Sequence, residues 1–78
     1  MTETLGKNAI QKRSVLVAGH RTSVSLEVAF WDELCAIAKR DGKSLNQLVT
    51  EIDAKRSGNL SSALRLYVLE SMKVGRAF

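Results

Sequence analysis

Polar and apolar residues alternate through residues 22–26, and this period of two is typical of a β-strand with one buried face. Further along the chain the period lengthens to about 3.6 residues, which is the repeat of an amphipathic helix. The apolar positions of this second stretch are Phe30, Leu34, Ile37 and Ala38. The pattern therefore predicts a strand that leads into a helix over about residues 28–41.

A glycine and a helix cap separate this helix from a second one. Gly42 follows Lys39 and Arg40, and helices commonly end with cationic side chains and a glycine. Ser44 and Gln47 then have the spacing of a capping box, in which each side chain binds a backbone N–H of the other residue. The second helix is predicted over residues 45–57, with one apolar face formed by Leu45, Leu48, Val49 and Ile52.

A second strand candidate, residues 12–18, lies upstream of the first, with Gly19 between the two. The glycine is compatible with a bulge that extends one long strand, and equally with a bend that starts a new strand. The sequence does not choose between these alternatives. Residues 1–12 are largely polar and are expected to form a flexible N-terminal arm.

The C-terminal part predicts a third helix over about residues 63–73, after N-cap candidates in residues 59–62. One stripe of this helix comprises Leu60, Leu64, Tyr67, Val68 and Met72, and the other side carries Leu66 and Leu69. So wide an apolar surface on a short helix is usually buried on more than one side. We favour the explanation that it completes the core of a dimer. The alternative is that it joins dimers into a tetramer or receives another protein.

The order of strand, helix, glycine and capped helix resembles the ribbon-helix-helix family, the Arc and MetJ type of bacterial DNA-binding protein. Residues 20–27, 30–31, 52–53 and 59–65 are similar to a small bacterial subfamily of that fold, and the resemblance covers roughly residues 12–72. It implies a mainly α fold with one β-strand per chain and an intertwined homodimer whose paired strands enter the major groove. The predicted C-terminal helix is an addition to the minimal plan of this family. The domain is expected to span residues 13–74, followed by a tail at 75–78.

The resemblance also implies which residues contact DNA. If Val24 and Leu26 face the core, then Arg21, Ser23 and Ser25 point outward, where the family's strands read base edges. The turn before the second helix and the arm would hold phosphates, through Lys43, Ser44, Asn46, Lys12, Arg13 and His20. The predicted dimer core comprises Val24, Leu26, Trp31, Leu34, Leu48 and Ile52. The simpler alternative is that the outward serines are ordinary solvated side chains and that Ser44 only caps its own helix.

Composition agrees with this interpretation. A chain of 78 residues is too small to bury a generous core by itself, so oligomerisation is expected. A single cysteine, Cys35, excludes an intramolecular disulfide and is expected to lie in the core. Nothing at the N-terminus resembles a signal peptide, and no apolar run approaches the roughly 20 residues that span a bilayer, so we expect a cytoplasmic protein without membrane contact. The net charge of +4 suits an anionic partner.

Catalysis has little support in this sequence. His20 and Cys35 are the sole histidine and cysteine, and no Gly-rich phosphate loop or nucleophile motif is present, so neither enzymatic activity nor a cofactor or metal is expected. The predicted function is that of a bacterial, sequence-specific transcriptional regulator that binds double-stranded DNA as a homodimer, or as a tetramer. The alternatives are a protein-interaction or assembly module that uses the C-terminal helix, and an antitoxin.

Overall fold

The computed structural model describes residue 6 and residues 8–56 and 58–76, with backbone alone for 74–76. Within these ranges the chain forms an antiparallel pair of strands followed by three helices. The elements are β1 (Ile10–Val17), β2 (His20–Glu27), α1 (Val28–Arg40), α2 (Leu45–Lys55) and α3 (Leu60–Arg76). The predicted mainly helical order, with an additional C-terminal helix, is therefore confirmed.

The strands β1 and β2 pair with each other inside one chain, and this corrects the prediction of one strand per chain. Ala18 and Gly19 connect them with φ angles of 52° and 84°, as in the two-residue turns that match the twist of a hairpin. Gly19 is thus part of a tight turn rather than a bulge. Because β2 finds its hydrogen-bonding partner in β1, a second chain is not needed to complete this ribbon.

The hairpin also changes the predicted boundaries of the domain. Residues 10–12, expected in the flexible arm, belong to β1, whereas residues 1–5 and 7 lie outside the described residues. At the other end α3 continues to Arg76, so residues 75–76 of the expected tail are helical, and 77–78 lie outside the description. The second helix ends at Lys55, two residues before its predicted end at 57.

The helices pack against one face of the hairpin and close a core within the single chain. The buried apolar residues are Val15, Val17, Val24, Leu26, Trp31, Leu34, Ile37, Ala38, Leu48, Val49, Ile52, Leu64 and Val68. All of the residues predicted for the dimer core are in this set, so their burial requires no second chain. The indole Nε1 of Trp31 donates a hydrogen bond of 2.8 Å to the carbonyl oxygen of Gln11, which satisfies its polar group beside the hairpin.

The buried stripe of α1 is rotated relative to the predicted one, because it contains Trp31 in place of Phe30. Trp31, Leu34, Ile37 and Ala38 are buried, and Phe30 is half-buried. Cys35 is exposed, which corrects its assignment to the core. The reason is geometric, since a residue adjacent to a buried position lies about 100° further around the helix.

The connections between the helices follow the predicted local rules. Gly42 has a φ of 69°, and the N–H of Lys43 donates to the carbonyl of Ala38 across 2.8 Å, which ends α1. The capping box of α2 is present, with Gln47 N–H donating to Ser44 Oγ at 3.0 Å and Ser44 N–H donating to Gln47 Oε1 at 2.8 Å. None of the described helices combines the length and the apolar character that crossing a membrane requires.

Candidate nucleic-acid interface

The two faces of the hairpin differ sharply in character. Directly opposite residues of an antiparallel pair share a face, so the register assigns each side chain to one of them. The inner face carries Val15, Val17, Val24 and Leu26, which are buried against the helices. The outer face carries Ile10, Lys12, Ser14, Leu16, Arg21, Ser23, Ser25 and Glu27. With the exception of half-buried Glu27, these outer residues are exposed, so the hairpin presents a ribbon to solvent.

The predicted base-reading residues lie on this outer face. Arg21, Ser23 and Ser25 are all exposed, in β2. Their neighbours across the ribbon come from β1, where Leu16 is opposite Arg21, Ser14 is opposite Ser23, and Lys12 is opposite Ser25. Lys12, expected as a phosphate contact from the arm, therefore belongs to the ribbon itself.

Ser14 and Leu16 are not among the predicted contact residues, although they are also exposed on the outer face. Polarity gives no signal for them, because residues 12–14 are all polar and residues 15–18 are all apolar, so only a turn at Gly19 that pairs the two strands could identify them. The sequence leaves that turn undecided, and without it the phase of β1 relative to β2 is undefined. The outer surface of β1 could only be recognised once the hairpin register was known.

The outer face of the ribbon carries two cations and one carboxylate. Arg21 lies near the turn, whereas Lys12, opposite Ser25, lies near Glu27 at the other end. Arg65 of α3 approaches Glu27 with an Nε–Oε1 distance of 2.9 Å. This hydrogen bond is the main reason that the pKa of the Glu27 carboxyl is lowered, and it opposes the charge that would otherwise repel phosphate.

The start of α2 is attached to the edge of the ribbon near the turn. The backbone N–H of Leu16 donates to Asn46 Oδ1 across 3.2 Å, and Thr50 Oγ1 lies 3.5 Å from the carbonyl oxygen of Leu16. Asn46, predicted as a phosphate contact, thus uses its amide oxygen within the chain. Its amide NH₂ group still carries donors, and the helix N-terminus to which it belongs lies beside the β1 edge of the ribbon.

Lys43 and Ser44 are located at this helix N-terminus, as the prediction requires, and both already have partners. Lys43 Nζ lies 2.5 Å from Glu51 Oε1, and this hydrogen bond raises the pKa of the lysine. The Ser44 hydroxyl accepts the N–H of Gln47, so it caps its own helix. The pair of Lys43 and Glu51 is on the surface, where such ion pairs exchange partners readily.

Two of the predicted phosphate contacts do not lie with the others. Arg13 is half-buried on the inner face, where its Nε donates to Gln11 Oε1 across 3.1 Å and its guanidinium lies 5.3 Å from the Trp31 ring centroid. This position over the tryptophan ring has the geometry of a cation–π contact. His20 is exposed at the turn, but it is opposite Val17 and so follows the phase of the inner face. The alternation of side chains along the strands explains both positions.

Comparisons with known proteins agree with this architecture. The chain matches the model of the ribbon-helix-helix domain family over residues 10–72. It is also similar to the structure of an uncharacterised protein from Bordetella pertussis Tohama I, with 33% sequence identity and a TM-score of 0.76. That likeness covers 88% of this chain and 60% of the Bordetella chain, so this chain spans less than two thirds of its relative. No curated protein matches it. Members of the matched family are typically DNA-binding transcription regulators or antitoxins, and this chain belongs to the ribbon-helix-helix domain family.

Proposed function

We propose that the protein is a sequence-specific DNA-binding transcriptional regulator whose hairpin enters the major groove with its outer face. The observation that carries this proposal is the exposed ribbon surface of Arg21, Ser23 and Ser25, with the N-terminus of α2 attached at its edge through Leu16 and Asn46. The ribbon provides groups for base edges and the helix start provides groups for the phosphate backbone. The regulator is proposed to act in the bacterial cytoplasm, without a cofactor or enzymatic activity.

The dimensions and chemistry of the ribbon suit this role. Adjacent strands lie about 4.8 Å apart, and the major groove of B-DNA, about 12 Å wide, admits a two-stranded ribbon. Arg21 has the donor geometry for the O6 and N7 atoms of guanine, and the hydroxyl groups of Ser23 and Ser25 can each donate or accept a hydrogen bond. These side chains are exposed in the free protein, so binding does not require them to leave a packed core.

Phosphate contacts are proposed for the start of α2. The cap of Ser44 occupies the N–H of Gln47, whereas the N–H groups of the first helical residues point out of the helix towards its positive end. Lys43 adds a cation at the same end once it leaves Glu51. The phosphates flank the groove on both sides. Contacts between these phosphates and the start of α2 would therefore fix how deeply the ribbon inserts.

The regulator is proposed to act as a homodimer, and the hairpin restricts where two chains meet. Pairing of two β2 edges would give a sheet of four strands, about 14 Å between its outer strands, which is wider than the groove of about 12 Å. The ribbon therefore enters DNA with the β2 edge unpaired. The remaining exposed apolar side chains are concentrated on α3, at Leu66, Leu69 and Met72, and we assign the dimer contact to them.

The proposal is tested by selecting duplexes from fragmented genomic DNA, including the region upstream of the protein's own reading frame. A regulator is expected to enrich a small set of fragments and to bind them at about 10⁻⁸ M or tighter at physiological salt. The affinity is expected to fall steeply as salt rises, because each phosphate contact releases counterions. Equal, weak binding of every fragment would contradict the proposal. The net positive charge alone would then explain the DNA binding.

A second candidate function is supported by the same exposed side chains on α3. Leu66 is 59% exposed and Leu69 is 48% exposed, which is costly for a monomer and typical of a surface that another protein covers. An assembly module would use this surface and would bind DNA only through its excess positive charge. Such a module would enrich no genomic fragment in the selection described above.

A further inference from the structure

Leu16 is an apolar side chain on the mostly polar outer face of the ribbon, and a large part of its surface remains exposed to solvent. It is 44% exposed on the outer face of the ribbon, directly opposite Arg21. Both of its backbone groups face α2, since its N–H donates to Asn46 Oδ1 and its carbonyl accepts from Thr50 Oγ1. The side chain therefore projects from a fixed point at the edge of the ribbon.

We propose that Leu16 contacts the 5-methyl group of a thymine in the base pair next to the guanine contacted by Arg21. The tip of the hairpin then recognises adjacent thymine and guanine bases through one residue from each strand. This inference rests on the proposed function and extends it, because it gives β1 a share in sequence recognition. The chemical group that β1 would recognise is the thymine methyl, which is exposed in the major groove.

The chemistry of the major groove supports this pairing. The thymine methyl is the apolar group that base edges expose there, and apolar side chains recognise it by direct contact. Cβ atoms of residues directly opposite in an antiparallel pair lie about 4.5–5.5 Å apart, so two such side chains can reach the same or neighbouring base pairs. Removing both the leucine side chain and the methyl from water favours binding, whereas a leucine facing a polar base edge gains nothing.

Ile10 provides a matched control on the same face of the same strand. It is 59% exposed, and it lies opposite Glu27 at the far end of the ribbon from the turn. It lies six positions before Leu16 along the extended strand, a distance of about 20 Å. A general effect of apolar surface on DNA binding would appear with either residue, whereas contact with one methyl group depends on Leu16 alone.

The test uses a duplex selected by the wild-type protein from a random library. Each thymine of the bound sequence is replaced in turn by deoxyuridine, which removes the methyl and keeps the base pairing. Affinities are then measured for the wild type, Leu16→Ala and Ile10→Ala, with circular dichroism to verify that each variant is folded. Leu16 is exposed and its hydrogen bonds involve the backbone, so Leu16→Ala is expected to fold normally.

The expected result is a loss of about three- to fivefold in wild-type affinity at one thymine, the size expected for burying a single methyl group. Leu16→Ala is expected to lose a similar factor on the thymine duplex and to be insensitive to deoxyuridine at that position. Ile10→Ala is expected to retain the wild-type sensitivity. The inference is overturned if the wild type binds every deoxyuridine duplex equally well, or if Leu16→Ala keeps the full sensitivity. A wild type that selects no sequence overturns the proposed function as well, which distinguishes the two failures.

Discussion

The backbone N–H of Leu16 donates a hydrogen bond to Asn46 Oδ1 across 3.2 Å, and this contact joins the edge of the hairpin to the first turn of α2. Strand edges present unpaired backbone groups, and here a side chain from α2 covers part of that edge. In the proposed complex the same contact sets the spacing between the ribbon in the groove and the helix start on the phosphates. The ribbon and the start of α2 are thus expected to approach DNA as one rigid unit.

Replacing Asn46 by Ala is expected to weaken DNA binding more than it weakens the fold. The change removes one hydrogen bond at the surface, which typically contributes about 0.5–1.5 kcal/mol to the free energy of unfolding. Urea denaturation and fluorescence anisotropy with a selected duplex measure the two effects separately. Asn59→Ala is the matched control, because Asn59 Oδ1 accepts the N–H of Ser62 at the start of α3, beyond the far end of α2. A similar loss of DNA affinity in both variants would contradict a specific role for the Asn46 contact.

Leu26→Asp and Ser25→Asp place the same carboxylate on opposite faces of one strand. Leu26 is fully buried, so a charge there is expected to unfold the protein at a cost of several kcal/mol. Ser25 is exposed on the outer face, so its variant is expected to stay folded and to lose affinity for every DNA sequence by charge repulsion. Thermal unfolding followed by circular dichroism and a DNA titration check both expectations. If Ser25→Asp binds DNA as tightly as the wild type, the outer face does not approach the duplex.

The ion pair between Lys43 and Glu51 is expected to compete with phosphate for the lysine. Glu51→Gln removes the carboxylate that lies 2.5 Å from Lys43 Nζ, so affinity for all duplexes is expected to rise. Lys43→Ala is expected to weaken all duplexes alike and to reduce the slope of log affinity against log salt by about one. Salt titrations of both variants on selected and random duplexes are the measurement. An unchanged slope for Lys43→Ala would show that Lys43 does not contact the DNA phosphates.

The exposed leucines of α3 are expected to control self-association rather than sequence recognition. The double variant Leu66→Ser with Leu69→Ser replaces side chains that are 59% and 48% exposed, so the fold of one chain is expected to persist. Light scattering at micromolar concentration is expected to show a dimer for the wild type and a monomer for the double variant. Arg21→Ala serves as the control and is expected to remain a dimer. A dimer that survives the loss of both leucines would contradict the assignment of the interface to α3.

Local rules predict much of this fold, because they depend on residues close in sequence. The capping box of Ser44 and Gln47, the glycine that ends α1, and the buried face of α2 all follow from short-range spacing. The hairpin does not, since Gly19 is compatible with a bulge or a turn until the register with β1 is known. The orientation of Arg13 towards Trp31 and the contact of Asn46 with Leu16 join residues far apart in sequence, so no periodicity reveals them.

The most direct test of the central claim compares two arginines on opposite faces of the hairpin. Arg21 is exposed on the outer face, whereas Arg13 packs over Trp31 on the inner face. For each Arg→Ala variant, affinity is measured for a selected duplex and for a scrambled duplex of the same composition. Arg21→Ala is expected to lose about 1–3 kcal/mol of discrimination between the two, the usual value of a bidentate contact to guanine, while Arg13→Ala keeps the wild-type discrimination. An Arg21→Ala protein that discriminates as well as the wild type would contradict recognition of DNA by the outer face of the ribbon.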